Sequence, residues 1–132
     1  MENELISVVI PAYNADNFIR ETIDSVINQN YRPLEIIVVN DGSTDGSEKI
    51  VAQLEQPLLK LANQSNQGVS TARNRGILEA RYDWIAFLDA DDELMPDFLR
   101  TITELHENYP DCSVAATAYY MQDTEGRRER NH

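Results

Sequence analysis

Cysteine is almost absent from the sequence, since Cys112 is the single one among 132 residues. A lone cysteine excludes an internal disulfide framework and any zinc site built from several cysteines. It also favours a reducing compartment, where disulfides do not persist. We expect Cys112 to lie in the hydrophobic core, because free cysteine is among the residue types most often buried.

A long hydrophobic run is also lacking. No apolar stretch approaches the roughly 20 residues that a helix needs to span a bilayer. The N-terminus has no basic segment, and its apolar run, Leu5–Ile10, is too short for the hydrophobic region of a signal peptide. These absences predict a cytoplasmic chain, and membrane association of a longer protein stays open.

Positive charge is scarce: 11 Lys and Arg residues stand against 23 Asp and Glu residues, a net charge of −12. Such a surface repels the phosphates of nucleic acids and anionic lipids, so we expect no nucleic-acid partner. An anionic ligand would need a cation supplied at its binding site. The phosphate-binding motifs G-x-G-x-x-G and G-x-x-x-x-G-K-[ST] are missing, and so are H-E-x-x-H and G-x-S-x-G.

What the chain does contain is the composition of one globular domain, with 42% hydrophobic and 26% charged residues. Apolar runs alternate with segments of helical periodicity, the first of which is Ile19, Thr22, Ile23, Val26 and Ile27. The runs that predict strands are Leu5–Ile10, Leu34–Val39, a weaker Leu58–Ala62, Tyr82–Leu88 and Cys112–Tyr120. This alternation predicts a three-layer α/β fold, with a mostly parallel sheet of four to five strands and helices on both faces.

Polar and turn-forming residues follow each of the first four predicted strands. In parallel sheets, ligands bind in the crevice outside the carboxyl ends of the strands. The sequence therefore predicts a binding site at this edge, formed by Pro11-Ala12-Tyr13-Asn14, Asn40-Asp41-Gly42-Ser43, residues 63–68 and Asp89-Ala90-Asp91-Asp92.

The acidic stretch after the fourth strand has two explanations. Aspartate is frequent enough in this chain for chance to explain its single D-x-D pair, Asp89 and Asp91. In extended chain these two side chains point the same way and could hold one Mg²⁺ or Mn²⁺ ion together with substrate phosphates. The alternative is a solvated acidic turn before the next helix. Pro96 favours the first position of that helix, which leaves the acids too far upstream to cap it and favours a ligand role for Asp91.

Three other residues at this edge have both a binding and a structural interpretation. Asp41 could accept hydrogen bonds from a base or ribose, or could only form part of a turn. Tyr13 could stack on a base, or only pack against its loop. Arg73 could be the cation that a diphosphate needs, or an ordinary exposed arginine of a helix.

Four segments, taken in order, resemble the N-terminal, donor-binding half of family 2 glycosyltransferases. Each segment alone is common, whereas all four in this order and spacing are specific, and they cover residues 5–120. The resemblance implies the GT-A fold, a Rossmann-like fold that binds nucleotide-diphospho-sugars. The segments are Val8–Asn14, Glu35–Asp45, Asn66-Gln67-Gly68 with Ala72-Arg73-Asn74, and Phe87–Asp92.

The resemblance implies inverting transfer of a sugar from a nucleotide-diphospho-sugar donor to a hydroxyl of an unknown glycan, lipid or other acceptor, with Mg²⁺ or Mn²⁺ as cofactor. Carried over to this chain, Pro11, Ala12 and Tyr13 would surround the base and Asp41 would hydrogen-bond it. Arg73 would line the donor pocket. Asp89 would lie near the ribose, and Asp91 would ligate the metal that binds the diphosphate. Asp92 fits less well, as a group behind the metal or beside the acceptor. The full donor-binding set is Pro11, Ala12, Tyr13, Asn14, Asp41, Arg73, Asp89, Ala90 and Asp91.

Family members also carry a second half with the acceptor site and a carboxylate general base. Nothing between Asp92 and His132 fits that base, so we expect it beyond His132 and leave the catalytic residue unknown. We expect a donor-binding domain over residues 1–120 and, over residues 121–132, an unstructured tail where the missing half starts. An apolar surface left by truncation would bring two chains together as a dimer.

Two other functions compete with this interpretation. A non-catalytic nucleotide-sugar binding module would carry the same four segments. A receiver-like signalling domain would need an acidic pair after the first strand and a lysine after the last one. The first predicted strand ends in Pro11-Ala12-Tyr13-Asn14 and the lysines are Lys49 and Lys60, so the receiver domain does not fit.

Overall fold

The computed structural model describes residues 4–32 and 34–131, and helices alternate with strands from residue 6 to residue 108. The first two strands form around runs of β-branched residues and are almost fully buried, as expected for strands covered on both faces. The elements are β1 (Ile6–Ala12), α1 (Ile19–Ile27), β2 (Leu34–Asp41), α2 (Ser47–Ala52), β3 (Leu59–Gln64), α3 (Val69–Glu79), β4 (Trp84–Phe87), α4 (Phe98–Asn108), β5 (Tyr119–Gln122) and β6 (Arg128–Asn131).

The chain divides into two units, residues 1–99 and residues 100–132, and the first holds the main sheet. Its four strands are all parallel, in the order β3-β2-β1-β4. β1 lies in the interior of the sheet, where Ile6 pairs with both Leu34 and Trp84, and all seven of its residues are buried.

Alternate residues of the strands face two separate hydrophobic clusters. Val8 and Ile10 of β1 belong to the larger one, which includes Ile19, Ile23 and Val26 of α1 and Val51 of α2. Val9 lies on the opposite face, in a smaller cluster with Ile37, Val39 and Ala72 of α3. Helices therefore cover both faces of the sheet, and the predicted three-layer α/β fold is confirmed.

α3 approaches the sheet closely because it carries a glycine at the contact. A β-carbon placed on Gly76 would lie 2.2 Å from Cγ1 of Val9, far inside van der Waals contact. The absence of a side chain at Gly76 thus sets the distance between α3 and β1.

The strand order reverses direction at β1. The chain runs outward from β1 through β2 to β3, then returns by α3 to β4 on the other side of β1. Such a reversal opens a crevice at the carboxyl ends of the two strands beside it, and ligands of doubly wound folds bind there. Here the crevice lies outside the ends of β1 and β4.

The second unit corrects three predictions. The predicted fifth strand over Cys112–Tyr120 does not form; only Tyr119–Gln122 is a strand, antiparallel to β6 in a separate two-stranded sheet. The run before it consists mainly of small side chains that no neighbouring strand buries, and Val114 is 85% exposed. Cys112 is exposed rather than buried for the same reason.

The end of the chain also differs from prediction, because β6 lies in the expected unstructured tail. The chain divides between Leu99 and Arg100, and the donor-binding domain over residues 1–120 stays a prediction. Residues 1–3 and 132 of the predicted domain and tail lie outside the described residues. The helix expected to start at Pro96 begins two residues later, at Phe98, a difference within the usual fraying of helix ends. No helix within the described part of the chain is both long and apolar enough to cross a bilayer.

Candidate functional site

The loop after β1 presents one aromatic ring at the crevice. Pro11 and Ala12 are the buried last residues of the strand, and Tyr13 directly after them is 52% exposed. Asn14 then adopts a left-handed backbone conformation with φ of 48°, which asparagine tolerates better than most residues. This reversal turns the chain away from the strand and leaves the Tyr13 ring at its carboxyl end.

Hydrogen bonds tie this loop to the one after β2. The N–H of Asn14 donates to Oγ of Ser43 at 3.1 Å, and the N–H of Thr44 donates to Oδ1 of Asn14 at 2.8 Å. The N–H of Ala15 donates to Oγ of Ser47 at 2.8 Å. The two loops therefore form one unit, and Asn14 contributes both its backbone and its side chain.

Two aspartates add a reciprocal link between the same loops. The N–H of Asp16 donates to Oδ2 of Asp45 at 3.2 Å, and the N–H of Gly46 donates to Oδ2 of Asp16 at the same distance. Oδ1 of Asp45 also accepts from the N–H and the hydroxyl of Ser47, at 2.9 and 2.6 Å. Burial alone would raise the pKa of Asp45, but these hydrogen bonds outweigh it and lower that pKa.

Asp41, at the end of β2, is buried and surrounded by donors. Its Oδ1 accepts from Nε2 of Gln64 and the N–H of Gln67, both at 2.8 Å, and its Oδ2 accepts from the N–H of Gly68 at 2.9 Å. Burial acts to raise the pKa of Asp41, yet the three hydrogen bonds more than offset it, so the pKa is lowered. The carboxylate thus shapes the loop between β3 and α3, and Oδ2 retains room for one more donor.

Gly42 completes this close packing. It has a φ of 72°, and a β-carbon there would lie 2.6 Å from the backbone nitrogen of Asn66. Only glycine allows both the conformation and the approach.

Arg73 reaches from α3 to the acidic turn after β4. Its Nη2 donates to Oδ1 of Asp89 at 3.0 Å, and both side chains are partly exposed, at 39% and 51%. Its Nε is buried and makes no hydrogen bond within the described residues. Arg73 therefore places a cation beside the acids and retains an unused donor.

The acidic turn continues the alternation of the strand before it. Leu88 and Ala90 are buried, whereas Asp89 and Asp91 are exposed. The turn closes where the N–H of Asp92 donates to the carbonyl of Asp89 at 3.0 Å. Partial burial, and then the charges of Asp91 and Asp89, raise the pKa of Asp92.

The turn suits a divalent cation held partly by a ligand. The carboxylate of Asp91 is exposed, has no hydrogen bond or ion pair with a described residue, and lies in the same turn as the acids Asp89 and Asp92. Across residues 4–32 and 34–131, no group of three or more acidic, histidine or cysteine side chains could enclose a metal. Mg²⁺ and Mn²⁺ need no such enclosure when phosphate oxygens and water complete the shell. Asp91, with Asp89 nearby in the turn, fits that kind of site.

The structure brings the predicted residues to one edge of the sheet, where some are exposed and others are buried. Tyr13, Arg73, Asp89 and Asp91 have exposed atoms at the ends of β1 and β4, whereas Pro11, Ala12, Asp41 and Ala90 are buried. A cavity of about 280 Å³ elsewhere, beside α1, is lined by none of them; its lining is Glu21, Asp24, Ser25, Asn28, Glu93, Leu94 and Pro96.

Five groups hold the edge together by hydrogen bonds that the sequence did not predict, although Ser43 and residues 63–68 were expected at this edge. These are Ser43, Ser47, Gln64, Gln67 and the amide of Gly68. The one available signal was the concentration of Asn, Ser and Gln after each strand, which indicates side-chain bonds to loop backbone without naming partners.

Comparison with known proteins gives one consistent result. The sequence model of the glycosyl transferase family 2 matches residues 7–132. The Escherichia coli protein YibD, an uncharacterized glycosyltransferase, is 46% identical over 99 residues, which are 74% of this chain and 29% of YibD.

Two solved structures have the same fold. S. aureus TarS in complex with UDP-GlcNAc superposes with a TM-score of 0.74 at 28% identity, over 80% of this chain and 32% of TarS. The mannosyltransferase PcManGT of Pyrobaculum calidifontis, in complex with GDP-Man and Mn²⁺, gives a TM-score of 0.69, also at 28% identity and over the same two shares. The chain thus spans less than a third of the length of any of these three proteins.

Proposed function

The chain belongs to glycosyl transferase family 2, and we propose that it forms the donor-binding portion of an inverting, metal-dependent glycosyltransferase. Membership confirms the predicted resemblance, and the likeness to TarS confirms the predicted GT-A fold. The observation that carries the proposal is a contrast between two parts of the sheet edge. The loops after β1, β2 and β3 are tied together by hydrogen bonds, whereas in the acidic turn after β4 Asp91 has no described protein partner.

The donor in this proposal is a nucleotide-diphospho-sugar. TarS holds UDP-GlcNAc and PcManGT holds GDP-Man in structures of the same fold. In this chain, the half-exposed Tyr13 ring would stack on the base, and Oδ2 of Asp41 would accept one hydrogen bond from it. Pro11 and Ala12 would form the wall behind the ring, and Asn14 would hold it in place.

The diphosphate is the part of the donor that carries the negative charge, and this acidic chain repels it. At a net charge of −12, the protein repels it at long range. Asp91 would hold Mg²⁺ or Mn²⁺, which supplies charge neutralisation for the departing diphosphate when bound. Arg73 lies beside the turn, and its partly exposed guanidinium would line the donor pocket.

The ribose would lie near Asp89. The Arg73 guanidinium already orients that carboxylate at 3.0 Å, and the second oxygen is open to accept a sugar hydroxyl. Ala90, buried between Asp89 and Asp91, sets their separation by anchoring the turn to the core.

We expect the 132-residue chain to bind the donor without transferring its sugar. No described acid near the crevice is assigned as a general base, and the acceptor stays undefined. A cytoplasmic location, with membrane association of the longer protein, remains our expectation, as does the domain boundary at residue 120. A non-catalytic nucleotide-sugar module is the alternative, and activity of the longer protein separates the two.

Titration calorimetry with UDP and GDP, with and without Mn²⁺, tests the proposal. We expect binding that depends on Mn²⁺, and we expect Asp91→Asn to weaken it by more than about tenfold, since even groups behind a metal ligand cost that much. Asp83→Asn is the matched control, because Asp83 is an exposed acid just before the start of β4 and its loss changes the charge equally. Binding that needs no metal and is unchanged in Asp91→Asn would refute the metal site. Sugar transfer by this chain alone would refute its role as a donor-binding portion only.

A further inference from the structure

α1 carries a polar stripe on the side that meets the segment after β4. The stripe starts with Thr22 and Ser25 of α1, which are three residues apart and hence on one side of the helix, and continues in Gln29, two residues after the helix ends. Thr22 and Gln29 are buried and Ser25 is half-buried. Polar groups so placed in a hydrophobic core need hydrogen-bond partners, and these three find them in a single segment of backbone.

Each member of the stripe binds a different part of that segment. Oγ1 of Thr22 donates to the carbonyl of Ala90 at 2.9 Å, and Oγ of Ser25 accepts from the N–H of Leu94 at 3.0 Å. Nε2 of Gln29 donates to the carbonyl of Met95 at 2.7 Å, and its Oε1 accepts from the N–H of Leu99 at 3.0 Å. α1 and Gln29 just after it therefore hold the backbone from the acidic turn to the start of α4.

Thr22 is the member of the stripe that bonds inside the acidic turn. Ala90 stands between Asp89 and Asp91, and its methyl group is already packed in the larger hydrophobic cluster. The bond from Thr22 fixes the carbonyl of the same residue, so both the side chain and the peptide group that link the two acids are held. Ser25 and Gln29 act further along, at residues 94–99.

We propose that Thr22 is a positioning residue for the metal site: it holds the Ala90 peptide so that Asp91 stays oriented toward the crevice before any ligand arrives. The inference rests on the proposed function for its metal, and on the Thr22 to Ala90 contact for its geometry. Outer groups that orient a metal ligand raise affinity by removing the cost of ordering it on binding. Thr22 is 68 positions from Ala90 in the chain and does not touch the crevice itself.

The test compares Thr22→Val, which keeps the shape and removes the hydroxyl, with Thr22→Ser, which restores a donor. For Thr22→Val we expect Mn²⁺-dependent UDP binding to weaken about tenfold, while UDP binding in EDTA changes less than about twofold. Thr22→Ser should bind as the unaltered protein does. Ser25→Ala is the matched control, because it removes a hydroxyl of the same stripe that bonds outside the turn, and it should leave the metal dependence unchanged.

Amide hydrogen exchange gives a second measurement that needs no ligand. The N–H of Asp92 donates to the carbonyl of Asp89 and so reports whether the turn is closed. We expect this amide to exchange about tenfold faster in Thr22→Val and not in Ser25→Ala. Should Thr22→Val fail to fold, Thr22→Ala serves in its place, and the Ser variant is measured in either case.

The outcomes separate the two proposals. Faster Asp92 exchange in a chain whose unaltered form binds no nucleoside diphosphate would support the positioning role of Thr22 and overturn the proposed function. Mn²⁺-dependent binding that persists at full strength in Thr22→Val, or that falls equally with and without metal, would overturn the positioning role alone.

Discussion

Aspartates on the two sides of the crevice have opposite surroundings. At the end of β2 and just after it, Asp41 and Asp45 each accept three hydrogen bonds, and their pKa values are lowered. After β4, Asp91 has no described partner, and Asp92 lies among like charges that raise its pKa. The residue type is the same, and the donors around it decide whether an aspartate builds the fold or stays available to a ligand.

The difference has a thermodynamic meaning. A carboxylate with several donors stabilises the folded chain, because its charge is better solvated by those donors than its burial costs. A carboxylate beside others of its kind opposes folding until a cation arrives. A ligand that binds only the folded chain then adds its binding energy to the free energy of unfolding.

Removal of Asp41 should have the largest effect on stability. In Asp41→Ala, the side chain of Gln64 and the amides of Gln67 and Gly68 lose their acceptor in a buried place. We expect the free energy of unfolding to fall by about 3 kcal/mol, measured by urea denaturation. Asp41→Asn keeps one acceptor oxygen and should lose about half as much. Equal urea midpoints for Asp41→Ala and the unaltered chain would show that the donors find other partners.

Acidification should lower the free energy of unfolding through Asp41 and Asp45, by less than the Asp41→Ala substitution does. Since the folded-state pKa values of Asp41 and Asp45 are lowered, their contribution is complete above the ordinary aspartate pKa, about 3.9, and is lost as pH falls through the folded values. The loss is smaller than in Asp41→Ala because a protonated carboxyl keeps one acceptor oxygen. Urea midpoints between about pH 6 and pH 3 should fall less steeply for Asp41→Asn than for the unaltered chain. Parallel slopes would contradict the assigned pKa direction.

Asp92 should behave in the opposite sense. Its raised pKa means that the ionised form disfavours the fold at neutral pH, and that protonation on acidification relieves this cost. Asp92→Asn should therefore stabilise the chain at pH 7 by a few tenths of a kcal/mol, since solvent screens a charge that is only partly buried. The gain should shrink in high salt and at low pH. A loss of stability at pH 7 would show that Asp92 has a favourable partner.

Asp91 should matter least to the fold. An exposed carboxylate without a described partner can be replaced at a change within about 0.5 kcal/mol. Thermal unfolding of Asp91→Asn without metal should therefore match that of the unaltered chain, although its metal-dependent binding is lost. A large destabilisation would place Asp91 with Asp41 among the structural aspartates and remove the contrast.

Much of the first unit could be predicted from sequence because its signals are local. The strands Ile6–Ala12 and Leu34–Asp41 each contain a β-branched run, and α1 has the bounds of its apolar period. The site's location followed from chain order, since whatever comes after a parallel strand lies at one edge. The fifth strand failed because residues 112–118 have no neighbour to bury them, and strand formation depends on such neighbours.

The internal contacts of the site were beyond the reach of sequence. Asp41 takes its donors from residues 23 to 27 positions away, and a sequence shows no preference among the amides of a loop. The apolar period of α1 predicted that Thr22 is buried, and the structure confirms it. The period does not indicate which atom the hydroxyl of Thr22 contacts. A role that depends on one hydrogen bond between distant segments can be recognised only in the three-dimensional structure.

The position of β1 between β2 and β4 also has a consequence for the order of synthesis. Ile6 pairs with Leu34 on one side and with Trp84 on the other, so its second neighbour emerges 78 residues later (84 minus 6). At roughly 5–20 residues per second, about 4–16 seconds pass on the ribosome before that neighbour exists. During this time the most buried strand of the protein has one open edge, and the nascent chain is exposed to pairing with other chains.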